Sequence, residues 1–289
     1  MKLTAIYPQI ELGGDPRALR EIGVGVEALG YDSLLLLDHV AGAVQAERQP
    51  PLLGPYTDKD PFHDPFVAFG YLAGLTTRLE LATGILVLPQ RQTLLVARQA
   101  ADVELVSDGR LRLGVGSGWN YVEFEALGQD FHNRGARLDE QIALLRQLWT
   151  TTSVDFAGRF HRIDRAGLNP RPRRPIPIFC GGGSEPAYRR GAKLGDGFIF
   201  SGDLFGSILP GWSRVQALLA ENGRPTSGYG AEYLLSSALS VPTAVETMQR
   251  WRDVGGTQVG VRSMGHGFET AAAHLDYFNA VAAGWRALS

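Results

Sequence analysis

Among the side chains able to move a proton near neutral pH, His39 has the most suggestive setting. It follows Asp38 at the end of an unbroken apolar run, Leu34-Leu35-Leu36-Leu37. An imidazole titrates near neutrality and can give or take a proton during a reaction. Neighbouring residues on a strand face opposite ways, so one of Asp38 and His39 faces a site while the other supports structure. A hydrogen-bonded structural histidine is the competing reading. The other histidines, at 63, 132, 161, 266 and 274, show no metal-ligand spacing. Neither H-E-x-x-H nor C-x-x-C occurs, so no metal centre is expected. No G-x-S-x-G nucleophile elbow occurs either.

Two glycine clusters offer close backbone approach to a ligand. Gly181-Gly182-Gly183 precedes Ser184-Glu185-Pro186, which reads as a helix start with Ser184 as N-cap. Free N–H groups at such a start favour a phosphate. A plain turn is the alternative, and Glu185 opposes an anion. Gly114-Val115-Gly116-Ser117-Gly118 resembles a nucleotide loop, but Trp119 breaks the G-x-G-x-x-G pattern. These small residues either admit a planar ring or simply pack a strand end. The pairs Arg173-Arg174 and Arg189-Arg190 either meet an anionic tail or remain solvated.

The elements that must position these residues alternate along the chain. Strands are expected at 3–8, 33–37, 79–88, 111–115, 176–180, 197–201, 232–237 and 257–261. Helical segments follow each strand, among them 16–29 and 64–77, with Asp15 and Asp64 as caps before Pro16 and Pro65. A small hairpin is expected around Ala157-Gly158-Arg159. Eight βα units in 289 residues, with no linker or tandem repeat, predict one (β/α)8 TIM barrel with loop insertions over 1–289. A doubly wound sheet would place a glycine fingerprint after its first strand, where this chain has Tyr7-Pro8-Gln9. In a barrel the chemistry sits at the C-terminal strand ends. The Pro- and Gly-rich loop Val40–His63 is long enough to act as a lid, with Tyr56 and Phe62 over the pocket.

Composition narrows the function further. Net charge is −2, with no long run of like charge, so nucleic acid is not an expected partner. The single cysteine, Cys180, allows no internal disulfide. No apolar run approaches the roughly 18 residues of a membrane span, and the N-terminus lacks a signal-peptide core. A cytoplasmic protein without membrane partners is expected.

Several stretches together resemble the luciferase-like monooxygenase superfamily, and most nearly its branch using the deazaflavin coenzyme F420. They are Asp64-Pro65 with Thr76 through Pro89, Ser107-Asp108-Gly109-Arg110-Leu111 through Trp119, Glu123 through Gly128, Arg134 through Glu140, Trp251-Arg252-Asp253 and Ser263-Met264-Gly265. The resemblance covers nearly the whole chain. It implies a barrel, usually a homodimer, acting as an oxidoreductase on a small organic substrate. It implies a non-proline cis peptide at Gly84-Ile85, bulging against the cofactor's central ring. Cofactor contacts carry over to Asp38, Thr83, Gly84, Ile85, Ser117 and Gly118, and a phosphate loop to Gly181, Gly182 and Gly183. His39 matches a proton-transferring histidine. Two positions depart from the pattern: Trp119 stands where some relatives have a glutamate, and Tyr121 where an acidic residue is common. A proton donor would then be His39 or Tyr121. F420 is the expected cofactor, with FMN and oxygen as the alternative. A cofactor-binding protein with little catalysis and a non-redox lyase or hydrolase are the remaining rivals.

Overall fold

The computed structural model describes residues 1–288. Eleven strands and nine α-helices follow in order: β1 (Lys2–Ile6), α1 (Pro16–Ala28), β2 (Ser33–Leu36), α2 (Pro65–Ala73), β3 (Glu80–Thr83), β4 (Leu86–Val87), α3 (Thr93–Val106), β5 (Leu111–Gly116), α4 (Tyr121–Ala126), α5 (Arg134–Thr150), β6 (Val154–Ala157), β7 (Arg162–Ala166), β8 (Ile178–Gly181), α6 (Glu185–Leu194), β9 (Gly197–Ser201), α7 (Leu209–Glu221), β10 (Gly230–Leu234), α8 (Val241–Asp253), β11 (Gln258–Arg262) and α9 (Ala271–Arg286). The parallel sheet runs β3-β2-β1-β11-β10-β9-β8-β5, and β3 pairs with β5 to close it. That is an eight-stranded barrel wrapped by helices, the architecture expected from the alternation. The strands β6 and β7 form the separate antiparallel hairpin.

Local chemistry sets the helix starts. Asp15 accepts the Arg17 N–H and Asp64 accepts those of Phe66 and Val67, each before a proline at the first helical position. Some expected bounds shift. The third strand is broken into β3 and β4 by a cis peptide at Gly84–Ile85. The seventh ends at Leu234 instead of Ser237, because a turn with Ala238 at φ 57° follows it. The helix α2 stops at Ala73, short of Thr77. The short helix α4 occupies what read as loop.

Alternation fills the barrel in layers. At the N-terminal end Arg112 is fully buried between Glu232 (2.6 Å) and Glu80 (2.6 Å), and Thr4 donates to Glu232 (2.7 Å). A buried guanidinium is tolerable because both carboxylates pair with it. The middle layer is apolar: Ile6, Leu35, Ala82, Phe179, Ile199 and Leu234 pack together. Leu37 and Met264 continue this cluster toward the mouth, where Ile10, Tyr56, Phe62 and Ile85 join it.

Candidate active site

The inward face of the second strand carries Ser33, Leu35, Leu37 and then His39 at the mouth. Asp38 lies on the other face, as alternation requires. Its carboxylate is fully buried, accepting the Val87 N–H (2.9 Å) and pairing with Arg91 (2.7 Å), which also pairs with Asp64 (3.0 Å). Burial raises the Asp38 pKa despite Arg91 and the Val87 N–H. Burial would lower Arg91, yet Asp38 and Asp64 hold it above its ordinary value. This cluster ties β4 to the end of β2 just beyond the cis bond.

His39 Nδ1 lies 3.1 Å from Glu123 Oε2, with both side chains nearly buried. The other Glu123 oxygen accepts the N–H groups of Val40 and Ala41, the root of the long loop. Burial works to raise the Glu123 pKa, but the hydrogen bond from His39, the imidazole's charge and the two backbone N–H groups hold it below the ordinary carboxylate range. An ionised carboxylate only accepts, so Nδ1 carries the proton and Nε2 is left for other partners. Three rings meet the imidazole edge-on: Phe62 at 4.9 Å, Tyr56 at 5.3 Å and Trp119 at 5.6 Å. The loop thus covers the mouth with two aromatic side chains. It is pinned beneath by Gln45, which donates to the carbonyls of Gly54 and Tyr56.

On the neighbouring strand, Ile85 projects from the cis bond. Cβ atoms added at Gly116 and Gly181 would come within 2.7 and 2.6 Å of its side chain. One at Gly114 would strike the Thr83 carbonyl at 2.0 Å. Those glycines are therefore required by packing around the bulge. Gly182 has φ 139°, and a Cβ at Gly183 would meet nothing within 4 Å. Ser184 stands at the N-cap of α6 but forms no side-chain cap bond, so the rim beside Gly182 and Gly183 is open.

Residues 3–280 match the luciferase-like monooxygenase family. The chain belongs to that family. It is 32% identical over 237 residues to an uncharacterized protein of Mycobacterium tuberculosis, covering 81% of this chain and 80% of that one. It is 33% identical over 190 residues to an F420-dependent glucose-6-phosphate dehydrogenase of Amycolatopsis mediterranei, covering 64% of this chain and 53% of the dehydrogenase. The chain thus matches about half the length of that enzyme. Among solved structures, an F420-dependent secondary alcohol dehydrogenase in complex with an F420-acetone adduct superposes with a TM-score of 0.80 at 15% identity, over 99% of both chains.

Against this luciferase-like frame, the expected site residues divide. His39, Ile85, Ser117, Gly118 and the Gly181–Gly183 rim lie at C-terminal strand ends. The cis bond is at Gly84–Ile85, where the resemblance placed it. The Thr83 side chain is buried and donates to the Gly114 carbonyl (2.7 Å), and Asp38 is engaged with Arg91, so these two support the bulge from behind. Tyr121 is not brought to His39. Its hydroxyl donates to the Pro50 carbonyl (2.6 Å), and it lines an outer groove of about 750 Å³ with Gln49, Pro50 and Phe131. The first residue of α4 points to the middle of the loop because the helix turns Glu123, not Tyr121, inward. Arg190 meets Asp139 (2.5 Å) and Arg174 meets Glu104 (2.7 Å), whereas Arg173 and Arg189 are largely solvated, Arg189 while pairing with Glu185 (2.7 Å). Sequence reasoning missed Glu123 as the partner of His39. The sequence signalled only the helix start there, since Asn120 and Glu123 stand at N-cap and N3 spacing.

Proposed function

We propose that this protein is an F420-dependent oxidoreductase that transfers a hydride between the deazaflavin and a small organic substrate, with His39 exchanging the accompanying proton. The observation that carries this reading is the buried His39–Glu123 pair under an aromatic loop, at the barrel mouth one strand away from Ile85. The residues fit such a cofactor. Ile85 offers an apolar surface for a flat ring, and the open backbone of Gly182 and Gly183 at the start of α6 suits a phosphate. When bound, the deazaflavin would supply the two-electron chemistry. Glu123 fixes the proton on Nδ1 of His39 and leaves Nε2 to give or take one at the substrate. The rings of Tyr56, Phe62 and Trp119 exclude water around it. Movement of the loop 40–63 would admit both molecules.

Spectroscopic titration tests this directly. F420 is expected to bind with a shifted absorbance band, and FMN to bind less tightly. Tighter FMN binding with oxygen consumption would favour the monooxygenase alternative, and binding of neither would end the redox reading. A homodimer belongs to the same proposal. The packed helices α2 and α3 expose Val67, Tyr71, Leu94 and Leu95, an apolar surface that a second copy would cover.

A further inference from the structure

The last barrel strand ends in a cation that no carboxylate among the described residues pairs with. Along β11, Gln258, Gly260 and Arg262 share the inward face, so Arg262 points into the mouth. Its charge lies near the Tyr56 hydroxyl, where it works against the burial that raises that phenol. Its Nε is buried and, among the described residues, has no partner. Arg112 and Arg91, two arginines enclosed in or beside the barrel, each pair with two carboxylates. Arg262 forms no such ion pair among the described residues. A guanidinium presents five donors in a rigid plane, and enclosing it without an anion is costly. The buried Nε, on a side chain that is itself only partly enclosed, suits an acceptor that arrives from outside.

Position decides which molecule brings it. In the closed sheet, β11 lies four strand-to-strand steps from β5 in either direction, so Arg262 faces the Ile85 side from across the mouth. The mouth also holds an apolar cluster: Leu37, Met264, Ile10, Phe62 and the Tyr56 ring. We infer that Arg262 anchors the carboxylate of a substrate whose body is aromatic or otherwise apolar. The planar fork would take two carboxylate oxygens, and Tyr56 would hold the fork in place from the loop. The word substrate rests on the redox reading above, but the anion site does not.

The test is calorimetric titration of F420-loaded and cofactor-free protein with benzoate, phenylacetate and cinnamate, each beside its neutral amide. At least one acid is expected to bind on the order of tenfold more tightly than its amide, the effect of one well-made charged hydrogen bond. Arg262→Gln is expected to abolish that preference while F420 affinity stays unchanged. Arg262→Lys should keep only part of it, because the charge remains and the fork is lost. The proposal is overturned if no acid outbinds its amide, if the preference survives in Arg262→Gln, or if that variant loses F420 instead. An acid preference in protein that binds neither F420 nor FMN would refute the redox reading and retain the anion site. Should Arg262→Gln fail to fold, phenylglyoxal labelling of the wild type decides. Protection of Arg262 by the tightest acid but not its amide supports the anchor, and equal protection or none overturns it.

Discussion

At the scale of single residues, Glu123 performs two tasks with one carboxylate. It sets the tautomer of His39 and holds the first N–H groups of the loop. Glu123→Gln separates them. The amide oxygen can still accept from Val40 and Ala41, but the amide nitrogen then faces Nδ1 as a donor. The imidazole proton is expected to move to Nε2, and ¹⁵N-histidine NMR should show the change for one of the six histidines. Turnover of F420-loaded enzyme should fall by roughly 10² or more, because His39 then presents the wrong tautomer to the substrate. An unchanged ¹⁵N pattern would remove Glu123 from this role. His39 itself was legible, since alternation along a leucine run puts one of two adjacent polar residues at the mouth. Its partner was not, because it lies 84 positions away and pairing at that distance follows only from the closed barrel. Asp38 read as a cofactor contact for the same reason: its partner Arg91 is 53 positions away.

At the scale of elements, two pieces of backbone must be held in place for the mouth to have its shape. The loop 40–63 packs flat because Gly54 lets the Trp119 ring approach. A Cβ there would sit 2.1 Å from that ring. Gly54→Ala should therefore lift the loop, seen as faster amide exchange across 40–63 with exchange in the barrel strands unchanged. The second piece is β4, tied to β2 through Asp38, Val87 and Arg91. Removing one partner of a buried ion pair strands the other. Arg91→Ala is expected to lower unfolding free energy by about 3–5 kcal/mol in a urea titration. A loss near that of an exposed pair, below about 1 kcal/mol, would contradict the role. The strands and the Asp-capped helices were readable because continuous apolar runs and Asp-Pro starts are local signals. The break between β3 and β4 was anticipated only through the family resemblance. The helix α4 was missed because its six residues follow a glycine-rich strand end with little apolar periodicity.

At the scale of the whole molecule, the alternation of strands and helices was enough to predict a barrel, whereas the charged layer inside it was not. Thr4, Arg112 and Glu232 lie on three different strands, and only closure brings them together. The proposed dimer is tested at this scale by Leu95→Glu, which should shift sedimentation from dimer to monomer while leaving circular dichroism unchanged. The outer shell also carries a proton-linked contribution to stability. His274 on α9 is fully buried, with Nδ1 2.9 Å from Ser263 Oγ and Nε2 3.5 Å from Glu11. Burial is the main cause that lowers its pKa from 6.5 to about 4. The His266 charge adds to the shift, and a backbone hydrogen bond at Phe268 opposes it. Between those two values the unfolded chain binds a proton that the folded chain refuses, so acidification favours unfolding. The slope from this one group is up to about 1.4 kcal/mol per pH unit. Burial also lowers His161, which adds a slope of the same sign, so the comparison must be with a variant. Urea midpoints for the wild type should fall as pH drops through the window from 6.5 toward 4. His274→Gln should start lower, because its amide fits the pocket less well, and should fall less steeply over the same window. The depressed Glu123 adds its own loss only below the ordinary carboxylate range, so the difference between the two proteins in the upper part of the window belongs to His274. Parallel curves for the two proteins would show that the imidazole is protonated in the folded state, and would place its counter-charge on Glu11.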